Sequence, residues 1–375
     1  MVEKKEITGK ILNISSNRYV NSDGKIGKNI IKNCNVEQTD SNKNNVYYNN
    51  QKTESLTVNL RFFHNYFVKK QLITNLTVPG NTLLDYACGK GGDLNKWIDG
   101  KYSFILGIDI FKDNIENKND GAKVRYVGYI KKFKRFPKVV FLHGDSSLNI
   151  RSGKIFDDKK SLLISDAIFG NLDSAYNLNY QDRHSVNGLI GRATNGFDIS
   201  SCQFAIHYFF KNLKTISGFL QNVADCTKLG GYFIGTTYDG KTIFSKLKNI
   251  EKNGNLTICV ENKKIWSVQK KYNYAEFSSD ESSLGYTINV YQETINTYNE
   301  EYLVNFRFLV KLMKVYGFEL LSKKEALSHG FPSGSGMFKE LYEINEGRNN
   351  LRMNEYEKSI SFLNRYFIFK KVKIL

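Results

Sequence analysis

The stretch that decides the fold is Leu83-Leu84-Asp85-Tyr86-Ala87-Cys88-Gly89-Lys90-Gly91-Gly92-Asp93. A short apolar run leads into a glycine-rich turn, and a helix-like segment, residues 94–98, follows at once. A second apolar run ends on Asp109, 20 residues after Gly89. In nucleotide-binding α/β sheets, glycines let the backbone approach a ligand closely, and an acid after the next strand accepts hydrogen bonds from ribose hydroxyls. The sequence therefore predicts a nucleoside site at the edge of a parallel sheet.

The glycine order differs from the dinucleotide pattern G-x-G-x-x-G, because Gly91-Gly92 is followed by Asp93, Leu94 and Asn95. An acid, Asp85, stands four positions ahead of the glycine turn, and nothing indicates a phosphate. This combination favours S-adenosylmethionine (AdoMet), which has a ribose and a cationic sulfonium but no pyrophosphate. We expect an α/β, Rossmann-like class I AdoMet-dependent methyltransferase fold, with a mostly parallel seven-stranded sheet, helices on both faces and an antiparallel insertion.

The charge balance favours a polyanionic partner. Lys plus Arg number 54 and Asp plus Glu number 37 among 375 residues, which gives a formal charge of +17. Such a balance suits nucleic acid or a membrane surface, and a Lys-rich solvated exterior is the alternative. We find no signal-peptide core and no apolar run of membrane-spanning length, so we expect a soluble protein without membrane contact.

The cysteines predict a reducing compartment. The five of them are scattered and lack C-x-x-C spacing, which argues against a disulfide framework and against a zinc site. We therefore expect no metal and a cytoplasmic rather than secreted protein, located in the viral factory or virion if its source is a virus.

Composition divides the chain near residue 55. Residues 1–55 are polar and rich in Asn, Lys and Ser, which predicts a mobile or partner-dependent leader or linker with one strand near 7–14. Residues 56–375 are expected to form the methyltransferase domain, with insertions at about 147–195 and 240–300. Hydrophobic patterns predict strands at 82–87, 103–108, 139–142, 162–169, 197–204, 231–237, 286–291 and 365–370, and helices at 56–74, 208–226 and 300–316.

Acidic residues after the predicted strands are candidates for the cofactor site. Asp109 would bind both ribose hydroxyls, unless it is a helix cap. Asp145 would accept the adenine amino group, unless it only shapes a turn. Asp85 or Asp93 would orient the methionine ammonium, since a buried carboxylate needs a partner. Lys69 would meet the methionine carboxylate, unless it is solvated.

A second cluster follows the fourth strand. The segment 197–210 places His207 and Tyr208 at the carboxyl edge of the sheet, where ligands of doubly wound folds bind. Beside several aromatics, these two side chains could bind a planar base by stacking and edge hydrogen bonds. The alternative is that His207 is a satisfied core residue.

Together these motifs resemble the messenger RNA cap guanine-N7 methyltransferases, especially the methyltransferase domain of the multifunctional capping enzymes of large DNA viruses. The similarity spans roughly residues 56–371. It is carried by CGKGGDL (88–94), SSCQFAIHYFF (200–210), GGYFIGTTYDG (230–240), EEYLVNF (300–306), YGFELL (316–321) and YFIFKK (366–371).

The resemblance implies site residues by position. Two departures from the family pattern are Asn65-Tyr66 in place of Asn-Asn, and Tyr86-Ala87 in place of Leu-Gly. Lys90 would be among the cations that neutralise the cap triphosphate. Residues matching the AdoMet site are Lys69, Gly89, Asp93, Asp109, Asp145, Ser146 and Gln203, and those matching the cap-guanine pocket are His207, Tyr208, Glu301 and Tyr366.

The implied reaction is methyl transfer from AdoMet to N7 of the terminal guanine of 5′-capped RNA, by direct in-line attack. Guanine N7 has a free lone pair, so no general base is needed, and catalysis would rest on proximity and orientation. Two alternatives stay open: an AdoMet enzyme acting on a small molecule or protein, and a non-catalytic RNA-binding subunit. Other capping-enzyme domains or a stimulatory subunit are possible partners.

Overall fold

The computed structural model describes residues 7–34 and 55–374. The chain divides into two compact units: the first takes its residues from 1–68, 237–309 and 337–365, and the second from 69–236, 310–336 and 366–375. None of the helices within the described ranges is long and apolar enough to cross a bilayer.

The strands, in chain order, are β1 (Ile7–Asn13), β2 (Arg18–Asn21), β3 (Thr82–Asp85), β4 (Phe104–Asp109), β5 (Lys138–His143), β6 (Phe197–Gln203), β7 (Thr227–Tyr238), β8 (Ile250–Val260), β9 (Lys263–Lys270), β10 (Thr287–Gln292), β11 (Thr297–Tyr302), β12 (Phe318–Leu320), β13 (Ser335–Met337) and β14 (Asn364–Lys371). The α-helices are α1 (Lys25–Asn33), α2 (Val58–Phe62), α3 (Lys70–Thr74), α4 (Leu94–Asp99), α5 (Lys112–Glu116), α6 (Ala122–Lys132), α7 (Lys159–Ile168), α8 (Leu172–Tyr176), α9 (Tyr180–Ser185), α10 (Leu213–Cys226), α11 (Gly240–Leu247), α12 (Phe306–Val315), α13 (Lys323–Ser328), α14 (Phe338–Asn345) and α15 (Glu355–Ser361).

The second unit is built on a doubly wound sheet with the strand order β12-β14-β7-β6-β3-β4-β5, and β13 pairs with β14 outside this path. The pairs β3–β4, β3–β6, β4–β5 and β6–β7 are parallel, whereas β12 runs antiparallel to β14. The seven-strand path agrees with the predicted fold, and β13 adds a short eighth strand. The chain changes direction across the sheet beside β3, and ligands of such sheets bind at this switch point, outside the carboxyl ends of the strands.

The strands at the switch point are covered on both faces. Every residue of β3 and β4 is buried, and Leu83, Leu84, Ile105 and Leu106 are fully inaccessible. Continuous apolar runs of this kind are typical of parallel strands packed between two layers of helices. The polar residues that follow these strands are therefore held by a rigid core.

The first unit contains a six-stranded sheet with the order β11-β10-β9-β8-β1-β2. Its central strands are antiparallel, which confirms the predicted β-structure at 286–291 and the antiparallel insertion after residue 240. The insertion begins with α11, which the sequence pattern did not indicate. Strand β1 pairs in parallel with β8, so two strands of the expected leader, β1 and β2, belong to this sheet, and α1 follows them. The remainder of that leader, residues 1–6 and 35–54, lies outside the described residues.

Three predicted elements are wrong in type or boundary. Residues 159–168 form helix α7 instead of a strand, and Asp158 caps it by accepting a bond from the Ser161 amide. The helix expected from residue 300 begins at Phe306, because residues 297–302 pair with β10 as β11. The helix expected from residue 208 begins at Leu213, after a 3₁₀ turn, Ile206–Lys211.

A fourth difference concerns the cysteines. Cys34 and Cys259 form a disulfide across 225 residues, contrary to the expectation of no disulfide. Both are buried beside Ile11 in the first unit. Sequence spacing could not indicate this pair, because it depends on β1 pairing with β8. Cys88, Cys202 and Cys226 are free and buried.

The unusual Tyr86 has a structural explanation. Its ring is buried against Phe219, with centroids 5.2 Å apart. Its hydroxyl donates to the Asn222 carbonyl at 3.1 Å and lies 3.3 Å from the Ser200 hydroxyl. The aromatic residue beside the glycine turn therefore anchors α10 to the sheet.

Tyr86→Phe should lower the free energy of unfolding by about 0.5–1.5 kcal/mol, because it removes one buried hydroxyl bond without changing ring packing. Urea denaturation would measure the change. Tyr180→Phe is the matched control, since Tyr180 is 84% exposed, and it should leave stability unaltered. An equal effect of the two substitutions would contradict the assigned anchor.

Candidate active site

The glycine turn after β3 has the backbone of a ligand cradle. Gly89 and Gly91 have φ angles of 53° and 70°, in the left-handed region that favours glycine. The Gly89 amide donates to Asp109 Oδ2 at 2.8 Å, which ties the turn to the end of β4. A side chain at Gly92 would meet nothing within 4 Å. The turn thus leaves open space where a ligand could approach the backbone.

Asp109 is a buried, oriented acceptor at the end of β4. Its Oδ1 accepts bonds from the Phe111 amide and the Asn114 side chain, both at 2.9 Å. Burial raises the pKa of Asp109, and its three hydrogen bonds oppose that rise. Two carboxylate oxygens can accept about four bonds, so capacity remains for a further donor such as a ribose hydroxyl. The N-cap of α5 is Phe111, which removes the alternative that Asp109 is a helix cap.

Asp93 is the centre of an ion cluster. Its Oδ1 lies 2.8 Å from the Nζ atoms of both Lys69 and Lys96. Burial opposes ionisation of Asp93, but the two lysines outweigh it and hold its pKa below the usual range. The Lys69 side chain is 14% exposed, so it is not a solvated helix residue. Lys96, which also donates to the Gly92 carbonyl, was missed from sequence, although its spacing of three residues from Asp93 was a signal.

A π-helical segment, Phe63–Lys69, interrupts the helix that was predicted at 56–74. It ends on Lys69, and α3 continues from Lys70. A π-helical turn widens the helix and rotates the residues that follow it, and such turns are frequent at functional sites. The segment also contains Asn65-Tyr66, a departure from the pattern of the family that the sequence resembles.

Asp85 gives the cluster an excess of negative charge. Burial raises the pKa of Asp85 to about 7, with a further contribution from Asp93, while the Ala87 amide and Lys69 act in the opposite direction. Asp85, Asp93 and Asp109 carry three potential charges against two from Lys69 and Lys96. A ligand with a cationic centre would balance this difference, so the donor set fits AdoMet.

Three more predicted cofactor residues lie at the same carboxyl edge. Asp145 is half-buried and accepts the Ser147 amide at 2.8 Å, so it shapes its own turn. The buried Ser146 hydroxyl donates to the Tyr86 carbonyl. Gln203, also buried, accepts a bond from the Thr236 hydroxyl at 3.1 Å. Direct contact of these residues with AdoMet stays a prediction.

The chain leaves β6 through a strained turn. Phe204 has a φ of 53°, rare for an aromatic residue, and its amide donates to both the carbonyl and the hydroxyl of Thr236 at 3.0 Å. The 3₁₀ turn that follows buries His207 with its ring 4.2 Å from that of Tyr208. Burial lowers the pKa of His207 to about 3, so its imidazole is neutral at physiological pH.

Lys90 and Tyr366 are engaged within the second unit. Lys90 Nζ lies 2.8 Å from both carboxylate oxygens of Asp120 and 3.9 Å from Asp113, so binding a triphosphate would require this ion pair to open. Tyr366 is fully buried and its hydroxyl donates to the Ser333 carbonyl at 3.0 Å. Their roles in cap binding stay predictions.

Glu301 belongs to the first unit, where it lies on β11 opposite Ile288 of β10. Burial raises the pKa of Glu301 to about 8. Tyr238 lies nearby. Burial raises the pKa of Tyr238, and the negative charge of Glu301 raises it further. The Tyr238 hydroxyl accepts a hydrogen bond from the Trp266 indole at 3.0 Å. Tyr238 was missed from sequence, although it stands in the motif at 230–240.

Comparison with known proteins decides the family. The model of the family described as "mRNA (guanine-N(7))-methyltransferase domain" matches residues 27–372. The chain belongs to this family.

Several curated proteins are similar to this cap-methyltransferase family member. The probable mRNA-capping enzyme of Acanthamoeba polyphaga mimivirus is 29% identical, over 88% of this chain and 28% of the mimivirus protein. The mRNA cap guanine-N(7) methyltransferase 1 of Arabidopsis thaliana is 28% identical, over 82% of this chain and 73% of its own length. The mRNA cap guanine-N(7) methyltransferase of Saccharomyces cerevisiae is 29% identical, over 84% of this chain and 65% of its own length. The chain thus spans less than a third of the mimivirus relative.

Among solved structures, an S-adenosylmethionine-dependent methyltransferase from Clostridium acetobutylicum is 12% identical with a TM-score of 0.40, and the match covers 85% of this chain and 92% of that one.

In this member of the family, the cofactor candidates converge at the carboxyl ends of β3, β4, β5 and β6, in the second unit. His207 and Tyr208 lie in that unit too, after β6, whereas Glu301 lies in the first unit. Within residues 7–34 and 55–374 there is no group of three or more His, Cys, Asp or Glu side chains arranged to hold a metal ion.

Lys96→Met should lower the free energy of unfolding by about 3–5 kcal/mol, because it breaks a buried ion pair and leaves Asp93 with Lys69 alone. Urea denaturation at pH 7 would measure the change. Lys70→Met is the control: Lys70 also lies 2.8 Å from a carboxylate, that of Asp99, but both partners are about a third or more exposed. It should cost about 0–1 kcal/mol. If the two variants lost equal stability, Asp93 would not be the centre of the cluster.

Proposed function

We propose that this chain transfers the methyl group of AdoMet to N7 of the terminal guanine of 5′-capped RNA. The observation that carries the proposal is the buried cluster of three carboxylates and two lysines at the glycine turn, in a chain whose family is defined by this reaction. The formal charge of +17 supports a polyanionic substrate.

The second unit would hold AdoMet through its own polar edge. Asp109 would accept the ribose hydroxyls with its remaining acceptor capacity. Lys69 would bind the methionine carboxylate, and Asp85 with Asp93 would attract the ammonium group. When bound, AdoMet supplies a methyl group on a positively charged sulphur, which a neutral nitrogen lone pair can accept. Asp145, Ser146 and Gln203 would surround the adenine side.

The guanine would be recognised by uncharged and negatively charged groups. A neutral His207 can donate one hydrogen bond, suited to guanine O6, and the Tyr208 ring face can stabilise a base that gains positive charge. Burial raises the pKa of Glu301 to about 8, and contact with the N1 and N2 protons of guanine would favour its ionised form. The resulting carboxylate would accept from N1 and N2 and stabilise the same charge as it develops. No side chain needs to remove a proton, so orientation is the main contribution, of the order of 7–11 kcal/mol.

The direct test is methyl transfer from radiolabelled AdoMet to GpppG-capped RNA and to the same RNA with a 5′-triphosphate. We expect label on the capped RNA alone, recovered as 7-methylguanosine after nuclease digestion. Equal labelling of both RNAs, or no labelling of either, would refute the proposed function.

Glu301→Gln should lower kcat/KM for capped RNA by about 10- to 100-fold, since a hydrogen bond to a charged group contributes about 1.5–3 kcal/mol. Glu300→Gln is a matched control, because Glu300 is the exposed neighbour whose side chain points to the opposite face of β11. It should retain activity. If Glu301→Gln methylates capped RNA as well as Glu300→Gln does, Glu301 does not contact the guanine.

AdoMet affinity should rise about tenfold between pH 6 and pH 8. The cationic ligand prefers ionised Asp85, and burial raises the pKa of Asp85 to about 7, so the ionised fraction grows across this range and AdoMet binding releases a proton. Isothermal titration calorimetry in two buffers of different ionisation enthalpy would count that proton. Asp85→Asn should bind more weakly and lose the pH dependence. A pH-independent affinity in the parent protein would contradict the role of Asp85.

A further inference from the structure

One surface of the second unit is strongly basic and is not used by the proposed site. Residues 122–138, AKVRYVGYIKKFKRFPK, contain seven cations and no acid. Lys123 pairs with Glu116 at 3.1 Å, and Lys138 donates to the Asn187 carbonyl. In the part of the chain that the structure describes, the other five cations form no ion pair. They are Arg125, Lys131, Lys132, Lys134 and Arg135, and all are exposed.

Exposed aromatic rings alternate with these cations. The rings of Tyr129 and Phe133 stack with centroids 5.6 Å apart and planes 11° from parallel. Phe133 is 42% exposed and Phe136 is 37% exposed. The neighbouring Val127 and Ile130 are also exposed, at 48% and 37%. An exposed apolar patch within a basic segment indicates a binding surface more than a solvated helix face.

Helix α6 begins beside the cofactor turn and leads from it to the basic and aromatic cluster at 129–136. The Lys90–Asp120 ion pair joins the turn to the residues just before α6, and a Cβ atom at Gly91 would lie 3.5 Å from Ala122 Cα. The far end reaches Lys138, which pairs with Phe104 at the amino end of β4. The 11 residues of α6 span about 16 Å at 1.5 Å per residue. At about 3.4 Å per stacked nucleotide, about five nucleotides would span the distance from the cofactor turn to the end of α6.

We propose that the α6 surface, defined as Tyr129, Lys131, Lys132, Phe133, Lys134, Arg135 and Phe136, binds the single-stranded RNA chain that follows the cap. This inference rests on the proposed function. Cations that contact the phosphates and rings on which bases stack are the two components of single-strand binding sites, and they need no particular base sequence. A lipid surface favours cations and apolar residues on separate faces of a helix. Here α6 ends at Lys132, so four residues of the K-K-F-K-R-F run at 131–136 lie beyond the helix and cannot form such a face.

The test compares Lys131→Ser/Lys132→Ser/Lys134→Ser with the control Lys314→Ser/Lys323→Ser/Lys324→Ser. Both triple variants remove three positive charges from exposed lysines of the second unit. Fluorescence anisotropy would measure the binding of a 20-nucleotide RNA, and radiolabel transfer would measure methylation of the dinucleotide GpppG. We expect the α6 variant to bind the RNA about tenfold or more weakly than the control. The logarithm of the binding constant falls linearly with the logarithm of the salt concentration, with a slope of about 0.7 per phosphate contact for a single strand. Loss of the three lysines should therefore lower this slope by about 2.

GpppG methylation should be equal in the two variants, because the dinucleotide has no chain to reach α6. Phe133→Ser alone should weaken RNA binding without changing the salt slope. Equal RNA binding by the two triple variants would overturn the inference. It would also be overturned if the α6 variant lost binding to anionic lipid vesicles while its RNA binding was unchanged. If the parent protein does not methylate GpppG-capped substrates, the proposed function fails, while the anisotropy comparison still decides whether the α6 surface binds RNA.

Discussion

Three carboxylates buried around one glycine turn, with two lysines to balance them, are the constraint on which the rest of the site depends. A buried charge is costly unless it is paired, so each carboxylate needs partners from a different element. Asp93 takes Lys69 from the end of the π-helical segment and Lys96 from α4, and Asp109 takes the Gly89 amide from the turn itself. The positions of helix, turn and strand are therefore set by the same few charges.

The cluster has three carboxylates and two lysines, and this excess of potential negative charge determines which ligand it can bind. Because Asp85 is buried with a raised pKa, the edge of the sheet stabilises a cation better than a phosphate. A sulfonium nucleoside carries such a positive charge, whereas a pyrophosphate is negatively charged. Under the proposed function the acceptor side needs the reverse, and a neutral His207 would add no positive charge to a guanine that becomes cationic. Burial would thus serve both halves of the proposed reaction, because it shifts the pKa values of Asp85 and His207 away from those of exposed side chains.

The sequence predicted the central sheet because its signals are local. Apolar runs, the glycine turn and Asp109 placed β3 and β4 within a residue or two, and they placed the candidate cofactor residues at one edge. The errors arose where structure depends on distant pairing. Residues 297–302 became a strand because β10 lies beside them, and Cys34 meets Cys259 only because β1 joins β8. Residues 162–169 form a short apolar run whose length fits either a strand or a helix. The spacing of Lys96 from Asp93 was a signal, but the burial that makes this ion pair important was not visible in the sequence.

A crystal structure of the protein soaked with sinefungin, an AdoMet analogue with an amine in place of the methylated sulfonium, tests the central claim most directly. We expect the ribose hydroxyls on Asp109 and the ligand's cationic groups beside Asp85 and Asp93, with the glycine turn against the nucleoside. Sinefungin bound elsewhere, or bound at this edge without contact to Asp109, would contradict the claim.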